Sequence, residues 1–336
     1  MSVLILAESL DPSADRMVLA LASRDVPTHR LDTAWFPTHL AVDARLRDRR
    51  WAGRLRTPYR DVELEDVDAI WYRSPATFQF PPGLSLAERQ HAHIEAKLGL
   101  GGVLLALPAR WVNRPDLSAT ACYKPLQLAT AARVGLVVAD TLVTSIAGAL
   151  RQFVTDHASG AAEGGVITKM FASNSIIEDD GRKVAFTRPV RVDDLDDLAG
   201  IETTAHQFQV RVAPKAFDAR IVVIGTRQFG FAIHATTDQA RLDFRRDYQA
   251  LHYERISVPG DVAAGVGALM VELGLAFAAI DFVVRTDGQW VFIGDVNPGG
   301  QYGWLEADTD APLTDALADL LAHGPVPGAP TTGAAA

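Results

Sequence analysis

The feature that most restricts the fold of this chain is a pair of apolar runs near its C-terminus. The first run is AIDFVV (279–284) and the second is VFIGDVN (291–297). Between them lies Asp287-Gly288, a pair typical of a two-residue β-hairpin loop. The pattern therefore predicts an antiparallel hairpin with acidic residues inside its strands.

The register of this hairpin decides what those acidic residues can do. In a regular ladder with that loop, Asp281 lies opposite Gly294, and Asp295 points to the other face. A glycine within a strand often marks a β-bulge, and one extra residue at Gly294 would bring Asp295 opposite Asp281. Asn297 would follow on the same side, so three oxygen ligands would converge.

Carboxylate and amide oxygens of this kind suit Mg²⁺, which is usually held by one or two carboxylates, nucleotide phosphates and water. The alternative is that Asp295 and Asn297 are only turn-forming residues at the end of a strand. The hairpin by itself leaves both interpretations open.

Composition excludes several classes of function. The chain has 336 residues and is 48% hydrophobic, enough for two or three packed layers. A net charge of −9 argues against a general nucleic-acid binder, because that affinity comes from Lys and Arg neutralising phosphates. No apolar stretch reaches the roughly 20 residues needed to cross a membrane. The N-terminus lacks a signal-peptide pattern, and Cys122, the only cysteine, cannot form an intrachain disulfide, so we expect a cytoplasmic protein.

Hydrophobic periodicity divides the chain into an α/β layer, two further α+β parts and a tail rich in Pro, Gly and Ala. A long helix is predicted from Leu84 to near Leu107, and a hairpin over 174–190 with Asp180-Gly181 as its turn. The predicted boundaries are 1–115, 116–202, 203–324 and a disordered tail at 325–336.

One segment departs from the acidic character of the chain. LRDRRWAGRLRTPYRD (46–61) is strongly basic. A solvated hairpin is the simpler interpretation, and a contact with an acidic segment of a partner is the alternative.

Lysine is scarce, with five residues against 27 arginines, so its positions are informative. Lys169 lies within the strand-like GVITKMFAS, a poor place for a charge unless an anion meets it. Lys124 opens a predicted helix, and Arg220 and Arg245 fall in or beside strands. A phosphate contact and a surface ion pair are both compatible with each arginine.

These elements, in this order, resemble the ATP-grasp ligases, and most of all the graspetide synthetases of the microviridin type. The similarity rests on AIWYRSP (69–75), NRP (113–115), YKPLQLATAARVG (123–135), FQVRVAPKAFDAR (208–220), DFR (243–245), AIDF (279–282) and DVNPGGQ (295–301). It spans nearly the whole chain, and it implies an ATP-grasp fold preceded by an α/β pre-grasp domain.

The resemblance also implies roles for individual residues. Lys124 and Lys169 match the two lysines that neutralise nucleotide phosphates. Arg220 and Arg245 match arginines that face the γ-phosphate and the acyl phosphate. The residues that match the adenine-binding hinge are Gln209, Val210, Arg211 and Val212, and those that match the Mg²⁺ ligands are Asp281, Asp295 and Asn297.

The implied activity is ATP-dependent macrocyclisation of a ribosomally made precursor peptide. An Asp or Glu side chain is phosphorylated, and a Thr, Ser or Lys side chain then attacks it to form an ester or an amide. Two alternatives stay open: a ligase of the same fold that adds a free amino acid to a carboxylate, and a peptide-binding module that has lost its chemistry.

Two departures from the family pattern bear on the site. The family usually has FLEVNP where this chain has FIGDVNP, one residue longer and with the shorter Asp295 in place of Glu. The hinge FQVRV also lacks the acid that commonly follows Gln209.

Partner surfaces are predicted less directly. By analogy with the family, a leader segment of the precursor is expected to dock on the hairpin 174–190 and its neighbouring helix. Arg73, at the end of an apolar strand, is a candidate peptide contact, with a surface ion pair as the alternative. Family members are often homodimers, so the resemblance allows a homodimer, for which the composition gives no evidence.

Overall fold

The structure is a computed structural model, and it describes residues 2–157, 165–172, 175–178 and 181–324. Its N-terminal part contains β1 (Ser2–Ala7), α1 (Pro12–Ala22), β2 (Thr28–Leu31), β3 (Ala41–Arg47), β4 (Arg50–Arg56), β5 (Asp61–Glu63), β6 (Val67–Ser74), α2 (Leu86–Leu105) and β7 (Arg110–Val112). Four of these strands form a parallel sheet in the order β2-β1-β6-β7. The predicted α/β layer at the start of the chain is therefore present.

Strand β1 is buried at every position because both faces of the parallel sheet are covered. Val3 and Ile5 pack on the side of α1, and Leu4 and Leu6 pack on the side of α2. Helix α2 begins with a capping box between Ser85 and Glu88. The long helix predicted from Leu84 to near Leu107 is confirmed.

The middle of the chain contains α3 (Pro115–Ala121), α4 (Lys124–Arg133), β8 (Thr141–Thr144), α5 (Ala147–Asp156), β9 (Val166–Lys169), β10 (Ser175–Glu178), β11 (Gly181–Val184), β12 (Arg188–Pro189) and β13 (His206–Val210). Four strands form an antiparallel sheet in the order β12-β9-β13-β8, and β10 pairs with β11. Asp180 of the predicted Asp180-Gly181 turn lies outside the described residues.

The remaining elements are β14 (Lys215–Ile224), β15 (Arg227–Ala235), α6 (Asp238–Leu242), β16 (Leu251–Ile256), α7 (Gly260–Leu273), β17 (Phe277–Arg285), β18 (Trp290–Asn297), α8 (Gly303–Thr309) and α9 (Leu313–His323). The five strands form an antiparallel sheet in the order β16-β15-β14-β17-β18. Ile221 and Val223 of β14 share a core with α7, whereas Val222 and Ile224 share a core with α9. This sheet is thus covered on both faces.

Helix α9 also packs against the parallel sheet, so one core joins the first and last parts of the chain. The mixed α/β architecture predicted from the sequence is confirmed. The predicted domain boundaries stay predictions, and the tail at 325–336 lies outside the described residues. Among the described helices, none is long and apolar enough to cross a bilayer.

Candidate active site

The hairpin of β17 and β18 has a wide bulge at its acidic residues. Phe282 pairs with Phe292, and Ile280 pairs with Val296. Asp281 therefore faces a stretch of three residues, 293–295, on the opposite strand. The bulge places Asp295 among the residues that lie opposite Asp281.

The register predicted for this hairpin was wrong in two respects, the length of its loop and the number of residues that the bulge adds. Arg285 N–H donates to the Gln289 carbonyl at 2.9 Å, so the loop has three residues, 286–288, and not two. This shifts the ladder by one residue, and the bulge adds two residues where we expected one. Gly294 has a φ of 74°, and a Cβ there would lie 3.0 Å from the side chain of Leu128. The bulge therefore depends on a glycine that is packed against α4.

Asp281 is held by a buried arginine on the neighbouring strand. Arg220 lies directly opposite it in the β14–β17 ladder and donates to both carboxylate oxygens, at 2.7 Å and 2.8 Å. The guanidinium also lies 5.7 Å from the ring of Phe244 and 5.5 Å from the ring of Trp304. Arg220 is therefore fixed in place against Asp281, and it lines neither of the two clefts described below.

Asp295 lies between two cations from different parts of the fold. Lys124 Nζ, at the start of α4, is 3.1 Å from one carboxylate oxygen, and Arg245 Nη2 is 3.1 Å from the other. Arg245 Nη2 also lies 3.7 Å from Asp281. Burial opposes ionisation of Asp295, but the charges of Lys124, Arg245 and Lys169 outweigh burial and lower its pKa.

Lys169 lies at the end of β9, and its Nζ donates to the carbonyl of Ile293 in the bulge. Burial lowers the pKa of Lys169 to about 8, with Asp295 opposing this effect and the neighbouring cations Lys124 and Arg245 adding to it. The Lys169 ammonium therefore lacks a full counter-charge of its own. A bound polyanion would supply one.

Two clefts meet at this charged cluster. The first lies between the two antiparallel sheets. Its walls include the apolar side chains of Ile167, Val210 and Ile293. The second is lined by Lys124, Asp295 and Asn297 among others. The residues common to both clefts are Lys169, Thr187, Asp243 and Arg245.

The predicted hinge lines the first cleft. All four of its residues, Gln209, Val210, Arg211 and Val212, contribute to the wall. Val210 N–H donates to Asp140 and Arg211 N–H donates to Gly165, both at 2.8 Å, and the Gln209 amide donates to Thr141 Oγ1 at 2.8 Å. Two of the backbone donors are thus used within the protein, and a ligand that paired with this segment would use groups other than these two N–H groups.

The predicted metal ligands have suitable chemistry. Within the described part of the chain, no three His, Cys, Asp or Glu side chains are grouped closely enough to hold a metal by themselves. The predicted set adds the amide of Asn297, which follows Asp295 on the same side of β18. Two carboxylates and an amide fit Mg²⁺ if phosphate oxygens and water complete the shell. In this structure Arg220 holds both oxygens of Asp281, and Lys124 and Arg245 hold those of Asp295, so a bound metal would have to share these carboxylates with the cations.

Comparisons with known proteins bear on the fold of the chain. Residues 2–118 match the family model of the MvdD pre-ATP grasp domain. Macrocyclase MdnC from Microcystis aeruginosa MRC, solved with precursor peptide MdnA, is 28% identical with a TM-score of 0.82, and the match covers 96% of this chain and 99% of that one. The chain has an ATP-grasp fold and is an ATP-dependent ligase similar to the graspetide synthetases.

Two further structures support the same fold. Macrocyclase MdnB from the same organism is 27% identical to this ligase, with a TM-score of 0.77 and 96% and 99% of the two chains covered. A RiPP-associated ATP-grasp ligase from Chryseobacterium gregarium, solved with ADP and a leader and core peptide, is 24% identical, with a TM-score of 0.86 and 96% and 97% covered. The search of curated proteins gave no significant match.

Sequence reasoning missed two residues that hold the site of this ligase. Gln127 on α4 is 1% exposed, and its amide accepts from Val296 N–H at 3.0 Å and donates to the Val296 carbonyl at 3.1 Å. It therefore fixes the residue between Asp295 and Asn297. Asn113, which the NRP motif contains, makes four hydrogen bonds to 276–277 and to the Pro298 carbonyl.

Two acidic residues in the clefts were also missed. Asp243 accepts from the backbone N–H groups of Thr187 at 3.0 Å and Arg245 at 3.2 Å. Asp218 is paired with Lys215 at 2.8 Å, and burial raises the pKa of Asp218 although Lys215 opposes this. In LDFRRDY, Asp243 lies two residues before Arg245, and this spacing was the sequence signal available for it.

Arg73 lies where the parallel sheet meets the loop 298–302, which we call the metal loop because it follows the predicted ligand Asn297. Its Nε is 3.3 Å from Asp11, its Nη1 donates to the Gly299 carbonyl at 3.1 Å, and its side chain is 7% exposed. Of the two interpretations from the sequence, an internal ion pair accounts for these contacts. A direct peptide contact would require this side chain to leave both partners.

Proposed function

We propose that this ligase is a peptide macrocyclase that links side chains within one precursor peptide. The observation that carries the proposal is the charged cluster at the junction of the two clefts. ATP in the first cleft and an Asp or Glu side chain in the second would meet between Arg220, Arg245, Lys124 and Lys169. That placement is what phosphoryl transfer requires, because its catalysis is mostly positioning and charge neutralisation.

In the first step, a carboxylate oxygen of the peptide attacks the γ-phosphorus of ATP, the bond to the β-phosphate bridge oxygen breaks, and ADP leaves. Lys124 and Lys169 neutralise the phosphates. Arg220 and Arg245 face the transferred group. Asp281, Asp295 and Asn297 would hold Mg²⁺, which supplies charge stabilisation for the phosphates when bound.

In the second step, a Thr or Ser hydroxyl or a Lys amine of the same peptide attacks the acyl carbon, and phosphate leaves as the ester or amide forms. The nucleophile loses one proton, so each link removes one water from the peptide and converts one ATP to ADP and phosphate. A closed grasp excludes water, which would otherwise hydrolyse the acyl phosphate.

Contacts with the rest of the peptide complete the proposal. The leader would dock on the hairpin 174–190, of which β10 and β11 are the described strands. Arg73 would act on the peptide through the Gly299 loop that it holds. We also propose a homodimer, which the exposed apolar side chains of Leu86, Ile94 and Leu98 on α2 support, and light scattering in solution would test it.

The experiment is the intact mass of a candidate precursor peptide after incubation with the ligase, Mg²⁺ and ATP. Loss of one water per link, with equal release of ADP, supports the macrocyclase. A gain of mass only when free amino acids are added would instead favour a ligase of the amino-acid-adding type. Binding without any ATP turnover would favour a peptide-binding module that has lost its chemistry.

A further inference from the structure

The hairpin of β3 and β4 carries the basic segment noted in the sequence, and its arginines fall into two groups. Near the base, Arg54 is 3.2 Å and Arg56 is 3.5 Å from Asp61, and Arg54 is also 3.7 Å from Glu63. These ion pairs neutralise the part of the hairpin that pairs with β5.

The arginines at the tip are different. Arg45, Arg47, Arg49 and Arg50 are all exposed, and none of them has a carboxylate within 4.0 Å among the described residues. None of them lines either of the two clefts of the active site. The tip is therefore a separate cationic surface on a protein whose net charge is −9.

The geometry of the tip keeps these charges together. Arg47 and Arg50 are directly opposite in the β3–β4 ladder, an arrangement in which like charges destabilise a sheet. Asp48 and Arg49 have positive φ values of 48° and 68°, typical of a tight turn that gives the hairpin one conformation. The inner face of the hairpin, including Val42, packs toward the hydrophobic core under α2. The outward direction of the arginines is thus fixed by the fold.

We propose that this arginine tip docks an acidic segment of the precursor peptide. The inference rests on the proposed function, since that chemistry requires a substrate with Asp or Glu side chains. An anionic segment placed between Arg47 and Arg50 would remove their mutual repulsion. Exposed charges of this kind mainly raise the rate of encounter and add modest affinity, so the tip concentrates substrate without taking part in the reaction.

A peptide fits the tip better than a nucleic acid. Backbone binding of nucleic acid needs an extended basic surface that contacts several phosphates, and the rest of this protein is acidic. The tip is a compact surface of a few arginines, matched to a short run of carboxylates. Acidic peptide and single-stranded oligonucleotide can be compared directly in one binding assay.

The first test uses a short fluorescein-labelled peptide of alternating Glu and Ser, with a Gln–Ser peptide as the uncharged control. Replacing Arg45, Arg47 and Arg50 together by Gln should weaken binding of the acidic peptide roughly tenfold at low salt. The matched control replaces Arg89, Lys97 and Arg255 by Gln, three exposed cations outside the hairpin, and should change affinity by about twofold at most.

Equal affinity in the tip variant and the wild type would overturn the proposal, and so would an equal loss in the control variant. Tighter binding of the oligonucleotide than of the acidic peptide would overturn the choice of partner. Should the triple variant fold poorly, the single variant Arg47→Gln removes the repulsion with Arg50 and keeps the test valid.

The second test separates docking from chemistry. With a precursor that the wild type cyclises, the tip variant should lower kcat/KM by a similar factor and leave kcat unchanged. If the wild type forms links and the tip variant has the same kcat/KM, the docking inference fails while the proposed function stands. If the wild type forms no links with any precursor yet binds the acidic peptide through the tip, the proposed function fails while the docking surface stands.

Discussion

Each charged residue of the site already has a partner in this structure, and these pairings predict how the nucleotide is recognised. Lys169 donates to the carbonyl of Ile293, which is neutral, while Asp295 is shared by Lys124 and Arg245. The phosphates of ATP would therefore gain most from Lys169, the cation with the weakest counter-charge.

The pKa of Lys169 makes this testable. Burial lowers that pKa to about 8, and bound phosphates favour the charged ammonium, so ATP binding raises the pKa and takes up a proton. Affinity for ATP should consequently fall as pH rises above 8, by up to about tenfold per pH unit. Isothermal titration between pH 7 and 9.5 would measure this.

The variant Lys169→Met should bind ATP more weakly and with little pH dependence over the same range. Lys97→Met, at an exposed position on α2, serves as the control and should keep the wild-type pH profile. An unchanged pH profile in Lys169→Met would mean that another group is responsible for the proton uptake.

Gln127 provides a second test with single residues. Gln127→Leu leaves the N–H and carbonyl of Val296 without buried partners, at a cost of about 1–3 kcal/mol each. Because Val296 separates Asp295 from Asn297, the Mg²⁺ concentration for half-maximal ATP turnover should rise severalfold. Leu126→Ala, on the exposed side of the same helix, should leave the Mg²⁺ dependence unchanged.

At the scale of elements, residues 243–246 after α6 contact residues 186–187 before β12. They thereby join the C-terminal sheet to the middle sheet, the two halves of the grasp. Arg246 Nη2 donates to the Thr187 carbonyl at 2.8 Å, and its guanidinium lies 5.1 Å from the ring of Phe186. Asp243 accepts from Thr187 N–H and from Arg245 N–H. If the two halves moved apart, the hydrogen bonds to Thr187 would break. Asp243, which also holds the backbone of Arg245, would then be less well fixed.

We therefore predict that Arg246→Met uncouples ATP consumption from linking. A grasp that closes poorly admits water, so the ratio of ADP released to links formed should rise above one. Arg246→Lys retains a donor for Thr187 and should restore part of the coupling, while Arg255→Met should behave as the wild type. A ratio of one in Arg246→Met would exclude a role in closure.

Local signals were enough to predict some elements and not others. The capping box of α2 is formed by Ser85 and Glu88, which are only three positions apart in the sequence. The start of α2 was therefore predictable. The bulge at Gly294 was expected, but its width depends on a three-residue loop and on contact with Leu128 of α4. Neither determinant is visible in the strand itself. Likewise, the family pattern indicated the charged residues of the site, but not that Arg220 pairs with Asp281 or that Arg245 bridges both carboxylates.

At the scale of the whole molecule, the first and last parts of the chain form one structural unit. Helix α9 packs on the parallel sheet and on the C-terminal sheet within one core. Asn113, at the end of the parallel sheet, is 3% exposed and donates to the carbonyls of Phe277 and Pro298 at 2.7 Å and 2.9 Å. Its side-chain oxygen accepts from the N–H groups of Ala276 and Phe277. Unfolding of the pre-grasp domain should therefore disturb the metal loop.

The variants Asn113→Ala and Asn113→Asp test this connection. Alanine leaves four buried backbone groups without partners, and loss of about 3 kcal/mol or more from the free energy of unfolding is expected. Aspartate keeps both acceptors for the N–H groups but faces two carbonyls, so it should destabilise the protein at least as much. Urea denaturation followed by tryptophan fluorescence would measure both. Since β1 and β17 share a core, the transition should stay single in each variant. Two separated transitions in Asn113→Ala would show that the pre-grasp domain unfolds independently, and contacts outside that domain, such as those of Gln127 with Val296, would then hold the end of β18.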